Sequence, residues 1–129
     1  MSNKSLRQIL YVEDEPDIRE IAQIALEDIG NFNVIYCANG CEALEKAKNS
    51  QPDLILLDVM MPQMDGPTTL TELRKMPYYA SLPIIFMTAK IQPDEIIKFK
   101  AMGALDVISK PFDPMTLADT IKKIWEKVS

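Results

Sequence analysis

Strand-length apolar runs alternate along this chain with segments whose apolar residues recur at helical spacing. Residues 7–13 (RQILYVE) read as a buried strand, and Pro16 suits the first turn of a helix, where its missing N–H leaves no bond unmade. Ile18, Ile21, Ala22, Ala25 and Ile29 continue at helical spacing until Gly30 and Asn31 stop it. Asn33 to Cys37 forms a second short strand, and Asn39 and Gly40 begin a helix with Ala43, Leu44 and Ala47 on one face. Asn49 to Pro52 break that helix, and Asp53 to Asp58 is the third and most apolar strand, suited to a central position. Pro62 and Gly66 enclose the loop MMPQMDG, ahead of a third helix with Leu70 and Leu73 that ends near Pro77. Pro83 to Thr88 is a fourth strand. Gln92 and Pro93 open a fourth helix with Ile96, Ile97 and Met102, Gly103 closes it, and Leu105 to Ser109 is a fifth strand. Asp113 as cap and Pro114 as first helical residue start a last helix, striped by Leu117, Ala118, Ile121, Trp125 and Val128.

Helices between strands demand parallel pairing with right-handed crossovers, and five βα units are too few for an eight-stranded barrel. The expected fold is α/β: a doubly wound, flavodoxin-like, five-stranded parallel sheet of order 2-1-3-4-5 with five helices. Four of the apolar runs end on a polar residue, at Asp14, Asp58, Thr88 and Lys110. In a parallel sheet these endings share the carboxyl edge, where open α/β sheets bind ligands, and strands one and three flank the topological switch. Asp14 and Asp58 are therefore expected to be neighbours.

A length of 129 residues fits one domain, which at this size buries roughly two-thirds of its unfolded surface. The longest apolar stretches fall far short of the ~18 residues of a membrane span, and MSNKSLRQ has no apolar signal region, so neither membrane insertion nor secretion is expected. Nineteen acids against fourteen bases, a net charge of −5, disfavour nucleic-acid binding by this chain. Cys37 and Cys41, with no histidine anywhere, cannot complete a usual zinc set; they read as reduced packing residues, although a helix start at Cys41 could lower its thiol pKa. The absence of histidine also removes histidine bases, Ser-His triads and a phosphohistidine on this chain. Chemistry here rests on carboxylates.

Glu13, Asp14 and Asp58 at one edge repel one another unless protons or a cation intervene. Hard oxygen ligands with few protein contacts suit Mg²⁺, which shares its shell readily with phosphate, so the acid cluster points to a phosphoryl substrate. Lys110 supplies positive charge for an anionic group and Thr88 a hydroxyl beside it. Asp58 is the best nucleophile by position: it ends the central strand and precedes a loop, while Glu13 and Asp14 sit together on the neighbouring strand.

The segments VEDEP, LLDVMMPQMDG, MTA and SKPF, in this order and spacing, resemble the receiver domain of two-component response regulators, in its single-domain, chemotaxis-regulator-like form. The resemblance covers nearly the whole chain and implies one receiver domain over residues 1–129, with a core of about 7–127. It implies that Asp58 accepts a phosphoryl group from a sensor histidine kinase or phosphotransfer protein, with Lys110 holding the phosphoryl oxygens and Thr88 moving toward them after transfer. The implied metal ligands are Asp14 and Asp58 directly, Glu13 largely through water, and the backbone carbonyl of Met60, around Mg²⁺ with Mn²⁺ as a substitute. The chain would catalyse only its own phosphorylation and slow dephosphorylation in the cytoplasm. With no output domain before its last residue, it would signal by conformational change to a downstream target protein or a phosphorylation-dependent dimer, neither of which one sequence identifies.

The chain departs from the family pattern at two places. Val107 stands where many receivers carry an aromatic that rotates with the threonine, which shifts the expected output to the loop after Thr88 and the face of the fourth helix and fifth strand. Met60 and Lys90 occupy positions that influence how water reaches the acyl phosphate, and Met60 orients water poorly, so slow dephosphorylation is expected. The family often has a cis peptide before the proline of KPF, here Lys110–Pro111, whereas an X–Pro bond in general favours trans. A nucleotide-binding enzyme is disfavoured because VEDEP lacks the glycines that admit a pyrophosphate. An aspartate-nucleophile phosphatase lacks its second acid after Asp58. A receiver-like interaction module that is never phosphorylated is the remaining alternative, against which the intact set Glu13, Asp14, Asp58, Thr88 and Lys110 weighs.

Overall fold

In the computed structural model, which describes residues 5–89 and 91–127, five parallel strands form one sheet in the order β2-β1-β3-β4-β5. They are β1 (Gln8–Val12), β2 (Asn33–Cys37), β3 (Leu54–Asp58), β4 (Ile84–Thr88) and β5 (Asp106–Ser109). Between and after them run α1 (Pro16–Gln23), continued by a π-helical turn at Ile24–Ile29, then α2 (Gly40–Ala47), α3 (Gly66–Leu73), α4 (Pro93–Ala101) and α5 (Leu117–Glu126). Among the described residues, none of these helices is long and apolar enough to cross a membrane.

Strand alternation sends successive side chains to opposite faces, and helices cover both. Leu10, Val12, Ile55, Leu57, Ile84 and Phe86 pack with Ala43, Leu70 and Phe99 from the α2, α3 and α4 side. Ile9, Tyr11, Leu54, Leu56, Ile85 and Met87 pack with Ala22, Leu26, Ile121 and Trp125 from the α1 and α5 side. Every residue of β3 is buried, as expected of the central strand. The strand ends also match: β1 and β3 pair as Val12 with Leu57, so Glu13 and Asp58 are neighbours one step beyond.

The helix starts follow local chemistry. Asn39 caps α2 by accepting from the Glu42 N–H at 2.8 Å, while the Glu42 carboxylate accepts from the N–H of Ala38, one residue ahead of the cap. Asp65 caps α3 through the Thr68 N–H at 2.8 Å.

Three helical expectations change. The first helix buries Ala22, Ala25 and Leu26 rather than its isoleucines: Ile21, Ile24 and Ile29 remain 44%, 53% and 39% exposed. Two alanines permit close approach, and the wider π turn, closed by Gly30 N–H to the Ala25 carbonyl at 3.1 Å, carries Ile29 outward. On α4, Phe99 takes the buried position, its ring 4.9 Å from that of Phe86, and Ile97 is left 69% exposed. The last helix begins at Leu117 rather than at Pro114, because Asp113 Oδ1 accepts from the Met115 N–H and holds residues 114–116 in turns. Its stripe of Leu117, Ala118, Ile121 and Trp125 is buried as expected; Val128 lies outside the described residues.

Candidate functional site

The pocket forms where β1, β3 and β5 end. Strand alternation places Glu13 in phase with Tyr11, Asp58 with Leu56, and Lys110 with Ile108, so the three charged groups share the α1 and α5 side of the sheet. Glu13 is completely buried and Asp58 is 1% exposed. A carboxylate this deep demands a cation or a proton.

Lys110 supplies the cation from 97 residues away in sequence. Its Nζ lies 2.9 Å from Glu13 Oε1 and 3.1 Å from Asp58 Oδ2, with exposed Glu15 at 3.9 Å on the rim. Burial alone would lower the Lys110 ammonium, but the hydrogen bond and charge of Glu13, then those of Asp58, outweigh it and hold it above its ordinary pKa. Asp58 moves the other way: burial, then the charge of Glu13, push its carboxyl up to about 7 against the opposing pull of Lys110. The approach of Lys110 to Oδ2 is an ion pair without hydrogen-bond alignment, so neither buried Asp58 oxygen receives a hydrogen bond.

Asp14 completes the acidic group. It is half-buried, and carboxylate oxygens of Glu13, Asp14 and Asp58 lie within 4.8 Å of one another. The donors are hard, anionic and all oxygen, and two of them are orphaned on Asp58; this set fits Mg²⁺ or Mn²⁺ and not a soft metal.

Thr88 ends β4 and is 4% exposed, one register step beyond Met87, which pairs with Asp58. Its backbone carbonyl accepts from the Lys110 N–H at 2.9 Å, tying the ends of β4 and β5 together. Alternation puts its side chain in phase with Ile84 and Phe86, on the face away from Asp58. Met60, two residues past Asp58, is 73% exposed at the rim. Val107 pairs with Phe86 and packs, half-buried, against the α4-side core. The Lys110–Pro111 peptide is cis. Lys90 lies outside the described residues. Cys37 is a buried packing residue whose thiol burial pushes up to about 12, and Cys41 is an exposed free thiol.

Two residues of the pocket, Tyr11 and Arg19, lie outside the quoted motifs, and Glu15 and Gly66 inside them take roles the motifs did not assign. Tyr11 donates its hydroxyl to Glu13 Oε1 at 3.4 Å, and burial, then the charges of Glu13 and Asp58, raise its phenol pKa. Arg19 of α1 donates from Nη1 to the Glu13 carbonyl at 2.6 Å, fixing the turn that carries the acids. The Glu15 N–H reaches Glu13 Oε2 at 3.3 Å. Gly66 lies so close under β3 that a Cβ there would meet the Asp58 carbonyl oxygen at 2.4 Å. For Tyr11 a signal existed: in a strand, residues two apart share a face.

Residues 9–122 match the family described as the response regulator receiver domain. The chain is 39% identical over 116 residues to the response regulator Rre1 of Synechocystis sp., covering 90% of this chain and 50% of that one. It is 38% identical over 121 residues to the alkaline phosphatase synthesis transcriptional regulatory protein PhoP of Bacillus subtilis, covering 94% and 49%. This chain thus spans about half the length of these relatives. Among solved structures, the chemotaxis response regulator CheY4 of Vibrio cholerae superposes with a TM-score of 0.84 at 34% identity, covering 93% of this chain and 99% of that one.

Proposed function

The chain belongs to the receiver domains of response regulators, and from that premise we propose that Asp58 accepts a phosphoryl group from a phosphohistidine on a partner kinase or phosphotransfer protein. The observation that carries this reading is the state of Asp58: a buried carboxylate at the mouth of the central strand, with no hydrogen bond to either oxygen and a lysine ammonium 3.1 Å away. A carboxylate serving only the fold would have its oxygens satisfied.

An Asp58 oxygen attacks phosphorus in line, the P–N bond to the partner's imidazole breaks, and that nitrogen keeps the electron pair. Lys110 turns from Asp58 Oδ2 to a phosphoryl oxygen while remaining within reach of Glu13, which keeps its ammonium charged. Thr88 turns its hydroxyl toward the phosphoryl group from the neighbouring strand end, and that movement reaches the loop after β4 and the α4 and β5 face, where Ile97 is exposed. Asp14, Asp58 and the Met60 carbonyl, with Glu13 acting largely through water, would hold Mg²⁺, which would supply positive charge against the converging anions. The signal passes by contact to a protein target, in the cytoplasm where a histidine kinase delivers its phosphate.

Incubation with Mg²⁺ and acetyl phosphate or phosphoramidate, followed by intact mass measurement, tests this. One added phosphoryl group, absent in Asp58→Ala, is the expected result. No increment in the parent protein would instead favour an interaction module that works without phosphorylation.

A further inference from the structure

One polar atom of the pocket that the phosphotransfer scheme leaves unused is the Tyr11 hydroxyl. We propose that Tyr11 is a positioning residue whose hydroxyl orients the Glu13 carboxylate and thereby pre-organises the Mg²⁺ cradle of Glu13, Asp14 and Asp58. This rests on the reading of the acidic cluster as a metal site.

Tyr11 is fully buried two residues before Glu13 on the same face of the sheet, so its ring is fixed by packing. It stands edge-on to Tyr36, with centroids 6.1 Å apart and planes at 70°, and Tyr36 is itself tethered through its hydroxyl to Glu27 Oε2 at 2.6 Å. A phenylalanine would fill the same space without the cost of burying a hydroxyl. The hydroxyl instead reaches Glu13 Oε1 at 3.4 Å, and the same oxygen receives Lys110 Nζ at 2.9 Å.

That sharing matters because Lys110 also faces Asp58. Whenever the ammonium swings toward Asp58 or its phosphoryl group, Glu13 Oε1 keeps Tyr11 as its other side-chain donor among the described residues. Glu13 Oε2 is held separately by the Glu15 N–H at 3.3 Å. Tyr11 thus limits rotation of this buried carboxylate while the lysine tilts between its two acids, as outer partners orient the carboxylates of a metal site.

Calorimetric titration of Mg²⁺ alone into the full chain, without phosphodonor, reads this directly. Tyr11→Phe, which keeps the ring, should weaken Mg²⁺ binding by about tenfold, the low end for loss of such an outer partner. Tyr36→Phe should bind as the parent does, and adding Tyr11→Phe to Glu13→Gln should cause no further loss, since the hydroxyl acts through that carboxylate. Unchanged Mg²⁺ affinity in Tyr11→Phe would overturn the proposal, whether or not its melting temperature in EDTA falls, as would an equal loss in the Glu13→Gln background. A parent protein that binds no Mg²⁺ would overturn the metal-site reading itself, an outcome separate from failure of the Tyr11 variant alone.

Discussion

Lys110 Nζ sits closer to Glu13 Oε1, at 2.9 Å, than to Asp58 Oδ2, at 3.1 Å. Before phosphorylation the lysine is anchored to a carboxylate that has no exposure to water, and it can tilt toward Asp58 without giving up that anchor. The same ion pair ties the ends of β1, β3 and β5 together and, on the proposed reading, would present the charge that receives a phosphoryl group.

Lys110→Met is therefore expected to cost stability as well as phosphorylation. It leaves Glu13 as a buried charge without its cation, a loss of about 3 kcal/mol by urea unfolding in EDTA. Adding Glu13→Gln removes the stranded charge and should recover a good part of that loss while phosphorylation stays abolished. Recovery of phosphorylation by the double variant would contradict the role given to Lys110.

Asp58 gives the metal-free protein a pH dependence whose sign is fixed by its raised carboxyl. The folded value of about 7 lies above the ordinary 3.8, so the native state binds the proton more tightly than the unfolded chain does. Its contribution is fully present below about pH 4 and is lost as pH rises through about 7. Asp58→Asn does not titrate, so in EDTA at pH 8 it should be more stable than the parent by about 4 kcal/mol, with the gap narrowing as pH falls through about 7 and closing near pH 4. Urea unfolding across that range checks it, and Mg²⁺ should narrow the gap by favouring the folded parent.

Gly66→Ala should damage both stability and phosphorylation. The added Cβ meets backbone rather than a yielding side chain, the Asp58 carbonyl oxygen at 2.4 Å and Val59 Cα at 3.0 Å, so the end of β3 must shift. The expected cost is about 2 kcal/mol in denaturant unfolding, with slower acquisition of phosphate from acetyl phosphate. Gly103→Ala is the control: its φ of +104° makes the substitution strained, but it follows α4 and precedes β5, so stability should fall while the phosphorylation rate holds.

The phosphorylated protein should keep its phosphate well beyond seconds. Met60, exposed at the rim two residues past Asp58, has no group that orients a water for attack on the acyl phosphate. Met60→Asn should shorten the lifetime severalfold, followed by intact mass after removal of the phosphodonor.

Much of this was legible in the order of residues, because it depends on local periodicity. Five apolar runs, the prolines and glycines between them, and the need for parallel crossovers determined a doubly wound parallel sheet, likeness to the flavodoxin-like fold supplied its strand order, and polar endings at Asp14, Asp58 and Lys110 located the cleft. Which residues win a place in the core was not legible, because neighbours on a helix compete for one volume against the sheet. Leu26 and the alanines displaced Ile21, Ile24 and Ile29 once the π turn rotated the chain, and Phe99 displaced Ile97 because Phe86 lay opposite it. The tertiary structure alone also decided that Lys110, arriving at the end of β5, pairs more closely with Glu13 than with Asp58. That is a relation between charges brought together from separate strands, set by how burial makes each one find a partner, and no repeat along a single strand encodes it.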